Sequence, residues 1–407
     1  IGGSALASQL LQSALSSEMD AMQFYFIDNT DPDGIDHVMS KLGDKIESTL
    51  TLVISKSGET RETRNAMLEV RQFYQKFSID FSRHAVAITC AKSPLDRLAE
   101  RENWLERFPM WDWIGGRTSF FSAVGMLPAA LQGIDIKKIL NGAKIMDEIT
   151  RQKDIKKNPA AKLAWIWHLV GAGMGNKSMV ILPYKDRLIF FTRYIQQLVM
   201  ESIGKEKNLE GKKVQQGLTV FGNKGSTDQH SFLQQLRDGP TNFFVTFIEV
   251  LKERENTRIE VEPGITSGDY LQGFLLGTSS ALFQNGRPSL TLTLDEIDSK
   301  SLGALIALFE RTVGLYAFLI GINAYHQPGV ELGKIEAADI IELSTKIQSL
   351  LKSYPKKQFS ADAIANIFES KTKTVTIFKI LNHLSANGRI QKIISIDPFT
   401  SQFKAYP

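Results

Sequence analysis

The stretch Leu50-Thr51-Leu52-Val53-Ile54-Ser55-Lys56-Ser57-Gly58-Glu59-Thr60 decides how the whole chain is read. An apolar, β-branched run breaks there into a small polar turn with three hydroxyls and a lysine. Beyond it Ala66, Val70, Phe73 and Phe77 recur at three- and four-residue spacing between charged positions. The pattern predicts a strand, a loop and a helix whose first turn points at the loop. A helix N-terminus carries unpaired N–H groups and a partial positive charge, and Ser55, Ser57 and Thr60 add hydroxyl donors. The loop therefore suits an anion the size of phosphate. The plainer reading is a βα turn with N-capping hydroxyls. No Gly-x4-Gly-Lys-Ser/Thr spacing is present, which argues against a nucleotide triphosphate and favours a phosphorylated small molecule.

Upstream, Gly2-Gly3-Ser4 reads as a glycine turn entering a helix, the kind of turn that follows a strand, so a further strand is expected before Gly2. Residues 23–27 read as a strand ending in Asp31-Pro32-Asp33-Gly34, and 35–46 as an amphipathic helix. Downstream come a strand at 84–90, a short helix at 94–101, an aromatic loop at 104–113, and Gly115-Gly116-Arg117 ahead of another helix. Strands alternating with helices predict a mostly parallel, three-layer α/β domain over residues 1–135. A helical connector, 136–157, leads to a second such domain over 158–339. Its strands are expected at 178–183, 218–222, 243–250 and 289–294, and its helices at 160–170, 188–203, 228–237, 269–283 and 302–323. Residues 340–407 make a helical tail whose helix pair and extended 389–396 resemble a small winged-helix unit.

With 407 residues the chain can bury two cores of ordinary size and carry an appendage. The 48 Lys and Arg against 44 Asp and Glu leave a net charge of +4, too small and dispersed for nucleic acid or a membrane surface as principal partner. One cysteine, Cys90, excludes an internal disulfide and favours a reducing, cytoplasmic compartment. The uncharged apolar stretch 312–325 is short for a bilayer and reads as a core helix.

Several residues could carry chemistry. Gln197 and Glu201 lie four apart and share a helix face, and Glu201 sits among Leu198, Val199, Met200 and Ile203. A partly desolvated carboxylate holds a proton more readily, which suits a base that takes a proton from carbon and returns it; a solvent-facing glutamate opposite Lys205 is the plain alternative. In Gly222 to His230, glycines open a loop, Ser226, Thr227 or Asp228 can cap the next helix, and His230 falls in its first turn, where the positive helix end disfavours imidazolium. Arg117 follows two glycines that let the backbone approach closely, leaving its guanidinium to reach a developing oxyanion. The stretch Gln327-Pro-Gly-Val-Glu-Leu-Gly-Lys334 offers an amide, a carboxylate and an amine. Six histidines without a His-Glu-x-x-His or other compact ligand pattern point to no metal site, and no cofactor motif is present.

Together these pieces resemble the phosphoglucose isomerase family, whose two domains are sugar-isomerase α/β folds. The motifs Ile1-Gly-Gly-Ser4, Ser55-Lys-Ser-Gly-Glu-Thr60, Gly115-Gly-Arg117, Gln196-Gln-Leu-Val-Met-Glu-Ser202, Gly225-Ser-Thr-Asp-Gln-His230 and Gln327 to Lys334 follow the family's order and span residues 1–334. The resemblance implies aldose–ketose isomerisation of glucose 6-phosphate and fructose 6-phosphate through a cis-enediolate. It implies that Ser55, Ser57, Thr60 and the Lys56 backbone bind the phosphate, with Gly3 and Ser4 lining the same pocket. Glu201 would be the base, Arg117 would stabilise the charge, Gln197 and Gln327 would position hydroxyls, and His230 and Lys334 would open the ring. It further implies a homodimer in which His230 reaches the site from the partner. Two departures stand out: Thr118 follows the arginine where the family usually has an aromatic residue, and Ser226-Thr227-Asp228 replaces the more usual Thr-Asn-Gly before Gln229-His230. They bear on loop shape and on tolerance toward mannose 6-phosphate. The competing class is a sugar-phosphate-sensing regulator that pairs this fold with a helix-turn-helix and binds ligand without turnover; in it Glu201, Arg117, His230 and Lys334 would be idle.

Overall fold

Three short strands pair in parallel to make the first sheet, in the spatial order Thr51–Ile54, Ala85–Thr89, Glu106–Pro109, with Thr51 opposite Ala85 and Val86 opposite Glu106. Ala85–Thr89 is buried along its whole length, as a central parallel strand covered on both faces must be. Val53, Ala85 and Ala87 pack with Met67, Val70 and Tyr74 on one face, while Ile54, Ile88 and Phe108 pack with Met110, Ile114 and Val124 on the other. The second sheet is also parallel, in the order Ser289–Leu294, Phe243–Val250, Ser178–Pro183, Val220–Phe221. Its faces split in the same way. Val180, Leu182, Val245 and Phe247 meet Leu236, Leu275 and Leu282, whereas Met179, Ile181, Phe244 and Ile248 meet the larger core of helices Pro159–Val170, Ile189–Ile203 and Ser299–Leu319. Both sheets are thus the middle layer of three, the α/β class expected.

This computed structural model describes residues 2–17, 20–254 and 258–406; Ile1 of the first motif and the side chains of 330–332 in the last one lie outside that description. The chain divides into two compact units, Ile1–His326 and Gln327–Pro407. The second comprises the helices Pro328–Ser353, Ala361–Ile367 and Thr374–Ala386 and an antiparallel ribbon of Gln391–Ile393 with Gln402–Lys404. It has its own core of Leu343, Ile347, Leu351, Ile364, Ile377, Leu381, Leu384 and Phe403.

Several elements differ from expectation. Residues 23–27 form no strand: with no ladder partner, they run along a cavity of about 520 Å³ beside Thr51–Ile54. Glu106–Pro109, read as part of a loop, is a strand at the sheet edge whose charged side chains face water. The expected helix at 228–237 is a 3-10 turn, Thr227–His230, followed by the short helix Leu233–Asp238. The buried stripe of Arg61–Lys76 is Ala66, Met67, Val70 and Tyr74, while Phe73 is half-buried and Phe77 is exposed. Helix Ser299–Leu319 is long and apolar enough to cross a membrane; Leu302, Leu305, Ile306, Phe309 and Val313 instead bury it in the protein core.

Candidate active site

Most helices described here close their first turn with a side chain: Asp31, Ser93, Ser122, Asp135, Asn158, Thr266, Asp298 and Ser360 all accept from a backbone N–H. Those that begin at Ile189, Leu233, Pro328 and Thr374 have no such bond, and neither do those at Gly3 and Arg61, since Gly2 has no side chain and Thr60 makes no capping bond. Neither of these last two starts is closed by its own cap residue's side chain. Both first turns face one cavity, since Ser4 and Thr63 are among the residues that line it.

The loop between Ile54 and Arg61 is held in shape by its own hydroxyls. Ser55 Oγ donates to Thr60 Oγ1 at 3.1 Å and accepts from the Gly58 N–H at 3.2 Å, and Ser57 Oγ accepts from the Glu59 N–H at 3.2 Å. Gly58 sits at φ +71°, and a Cβ there would stand 2.7 Å from the Leu95 nitrogen, so the turn requires glycine. Lys56 sends its ammonium to the Asp112 carbonyl at 2.6 Å, tying this loop to the segment that runs into Gly115-Gly116-Arg117.

That segment meets the start of the Gly3–Leu15 helix at close quarters, since a Cβ on Gly3 would lie 1.8 Å from the Gly116 carbonyl oxygen. Arg117 follows in the 3-10 turn Gly116–Thr118, and the next helix begins at Ala123. The guanidinium is not free, as a sequence reading suggests; at 3% exposure it is pinned. Nε donates to Ser202 Oγ at 2.6 Å, Nη2 donates to the carbonyls of Ala324 and His326, and Nη1 stands 3.5 Å from Glu201 Oε1. Burial pulls its pKa below the ordinary arginine value, and Glu201 opposes that pull.

Glu201 lies on helix Ile189–Ile203 with its side chain 19% exposed. Its second oxygen accepts from Gln197 Nε2 at 3.0 Å, the contact that four-residue spacing allows. Gln197 Oε1 is buried without a hydrogen-bond partner, an acceptor still to be satisfied. Two further residues belong to this group and carried no role in the sequence reading: Ser202, which receives Arg117, and Lys205, whose ammonium donates to the carbonyls of Glu201 at 2.8 Å and Ser202 at 2.7 Å. The available signal was position, since Ser202 adjoins Glu201 and Lys205 is one turn beyond it.

His230 is elsewhere. It ends the Thr227–His230 turn, exposed, rather than opening a helix, so the expected first-turn environment is absent. Its neighbour Gln229 fastens the turn by donating to Thr278 Oγ1, the Phe274 carbonyl at 3.1 Å and the Tyr184 hydroxyl at 3.3 Å. Asp228 accepts from the Lys224 N–H at 2.9 Å, while burial raises its pKa against that bond. Among the described residues no hydrogen bond or ion pair joins His230 to Glu201. Gln327 and Lys334 belong to the second unit, Gln327 directly before helix Pro328–Ser353 and Lys334 exposed on its second turn.

The arrangement combines two uncapped helix starts, suited to an oxyanion, with a carboxylate held against a buried cation, suited to moving a proton where negative charge develops. Comparison with known proteins places the whole chain rather than its single residues. The family model described as phosphoglucose isomerase matches residues 1–272 and 274–357. A glucose-6-phosphate isomerase of Trichormus variabilis is 56% identical over 389 residues, covering 96% of this chain and 74% of that relative. One of Desulfitobacterium hafniense is 56% identical over 387 residues, covering 95% and 73%. Among solved structures, a glucose-6-phosphate isomerase from Chlamydia trachomatis superposes with a TM-score of 0.78 at 30% identity, covering 87% of this chain and 71% of that one. A hypothetical protein from Thermus thermophilus superposes at 0.75 and 29%, covering 84% and 82%.

Proposed function

The chain belongs to the phosphoglucose isomerase family, and from that premise we propose which residues carry each step of the reaction it catalyses, the reversible isomerisation of glucose 6-phosphate and fructose 6-phosphate in glycolysis and gluconeogenesis. The sugar phosphate binds at the uncapped helix starts, with Ser55, Ser57, Thr60, the Lys56 backbone, Gly3 and Ser4 around it. Charge-assisted bonds of about 1.5 to 3 kcal/mol each anchor one end of a flexible open-chain sugar and orient its reacting carbons. His230 and Lys334 open the ring. Glu201 removes the C2 proton of the aldose, the electrons of that C–H bond form the enediolate, and the same carboxyl returns the proton to C1 while the O2 hydroxyl proton passes to O1, leaving the carbonyl at C2. Arg117 stabilises the negative charge on the intermediate. Gln197 and Gln327 position hydroxyls, and the unpaired Gln197 Oε1 is the acceptor for one of them. A proton shuttle of this kind needs no cofactor.

The observation that carries the reading is the Glu201–Arg117–Gln197 group beside the uncapped start of the Gly3–Leu15 helix, where a Cβ on Gly2 would stand 2.6 Å from Gln197 Nε2. The exposed and separately anchored His230 supports its donation from a partner subunit in a homodimer, and the single cysteine supports a cytoplasmic setting. A sensor without turnover is not favoured beside relatives named as isomerases. The test is Glu201→Gln assayed in both directions and for exchange of the C2 proton with solvent. It should bind phosphosugar and lose turnover and exchange on the order of a thousandfold. Near wild-type turnover would remove Glu201 as the base.

A further inference from the structure

Lys205 follows the helix that carries Glu201, at a place where a lysine is ordinarily solvated, yet it is 5% exposed. Gly204 takes the chain out of the helix in an extended conformation, and Lys205 then opens the hairpin Lys205–Lys207 with Lys213–Gln216, paired with Gln216. From there its ammonium turns back onto the carbonyls of Glu201 and Ser202, orphan acceptors at the negative end of the helix. The Ser202 hydroxyl receives Arg117. Two buried cations are thereby tied to one helix end, Arg117 through the Ser202 hydroxyl and the Glu201 carboxylate and Lys205 through the backbone carbonyls of Glu201 and Ser202. Burial pushes Lys205 down to about 8, Arg117 pushes the same way, and Glu201 opposes both. A helix end needs nothing so costly for its carbonyls, since a glycine cap or an exposed lysine would serve.

We propose that Lys205 is a positioning residue for the isomerisation: its charged ammonium holds the last turn of the base's helix so that Glu201 faces Arg117, and sets a second positive charge behind the developing enediolate. This rests on Glu201 being the base. Arg117, from the Gly116–Thr118 turn, and Glu201, from the adjoining helix, are the charged groups that face Lys205. A guanidinium keeps its proton throughout the mildly alkaline range, so of these two cations Lys205 is the one whose proton loss lowers turnover there.

The experiment measures kcat and KM of the full chain with fructose 6-phosphate between about pH 6 and pH 10 for wild type, Lys205→Arg, Lys205→Met and Glu201→Gln. Wild-type kcat should fall above about pH 8. Lys205→Arg, charged at every pH, should stay within about tenfold of wild type and lose that fall, whereas Lys205→Met should lose about a hundredfold in kcat with KM changed less than about threefold. Identical pH profiles in wild type and Lys205→Arg overturn the proposal even where Lys205→Met does not fold, and a Lys205→Met enzyme with wild-type kcat overturns it too. An active Glu201→Gln would overturn the base assignment instead, so the two failures are distinguishable.

Discussion

An arginine that is 3% exposed has given up nearly all its hydration, and Arg117 recovers the loss from Ser202, two backbone carbonyls and Glu201. The planar fork is what allows one side chain to meet partners in several directions. Arg117→Lys keeps the charge but has a compact ammonium on a shorter reach, so it cannot serve the serine, the carbonyls and the carboxylate together. We expect kcat to fall on the order of a hundredfold with KM little changed, measured by steady-state kinetics; an unaltered kcat would reduce the guanidinium to a packing role. At this scale some contacts were readable: the Gln197–Glu201 pair from helix spacing, and the close backbone approach before Arg117 from its glycine pair. Its confinement was not, because its hydrogen-bond partners Ser202 and Ala324 lie 85 and 207 positions away and leave no local pattern. Lys205 was hidden for a related reason: only the backbone turn at Gly204 brings its ammonium back onto the helix it follows.

Elements built from continuous apolar runs were the most legible, since Ala85–Thr89, Ser178–Pro183 and Phe243–Val250 are buried on both faces and so read as near-unbroken apolar runs. Edges were not: Glu106–Pro109 joins a sheet with one apolar side chain, Phe108, turned to the core, and residues 23–27 have strand-like side chains without a partner to pair with. The uncapped start of Arg61–Lys76 yields a test of the phosphate loop. Thr60→Val deletes the hydroxyl that accepts from Ser55 and should raise KM on the order of tenfold while changing kcat less, with inorganic phosphate competing more weakly than in wild type. A fall in kcat at constant KM would place the loop in the transition state. Helix Ser299–Leu319 provides a second test. Glu310 accepts from the Tyr194 hydroxyl at 3.0 Å, and burial pushes it up to about 8 from the ordinary 4.5. The folded protein then binds more protons than the unfolded chain between those values, so this group's contribution to stability falls as pH rises through the window. The Tm of Glu310→Gln relative to wild type should rise as pH goes from about 5 to 8; a relative Tm that falls over that range would mean that the carboxyl stabilises the fold in its charged form.

At the scale of the whole molecule the question is where His230 acts. It is exposed at the end of a turn that Gln229 and Asp228 fasten to the second sheet's surroundings, with no bond to Glu201 among the described residues. If each site draws Glu201 from one copy and His230 from the other, two inactive variants should rescue one another. A dimer of Glu201→Gln with His230→Ala contains one site lacking both groups and one in which Glu201 of the second variant meets His230 of the first, fully intact. Random reassociation of equal amounts places about half the molecules in such mixed dimers with one working site of two, so about a quarter of wild-type activity should return. The assay uses cyclic glucose 6-phosphate, because ring opening is the step assigned to His230, and mixes the variants after reversible dissociation. Donation within one chain predicts no recovery at any mixing ratio, since every site would then lack one of the two groups. Recovery that scales with the fraction of mixed dimers, and vanishes when either variant also carries the other's substitution, would establish that the site is assembled from two copies.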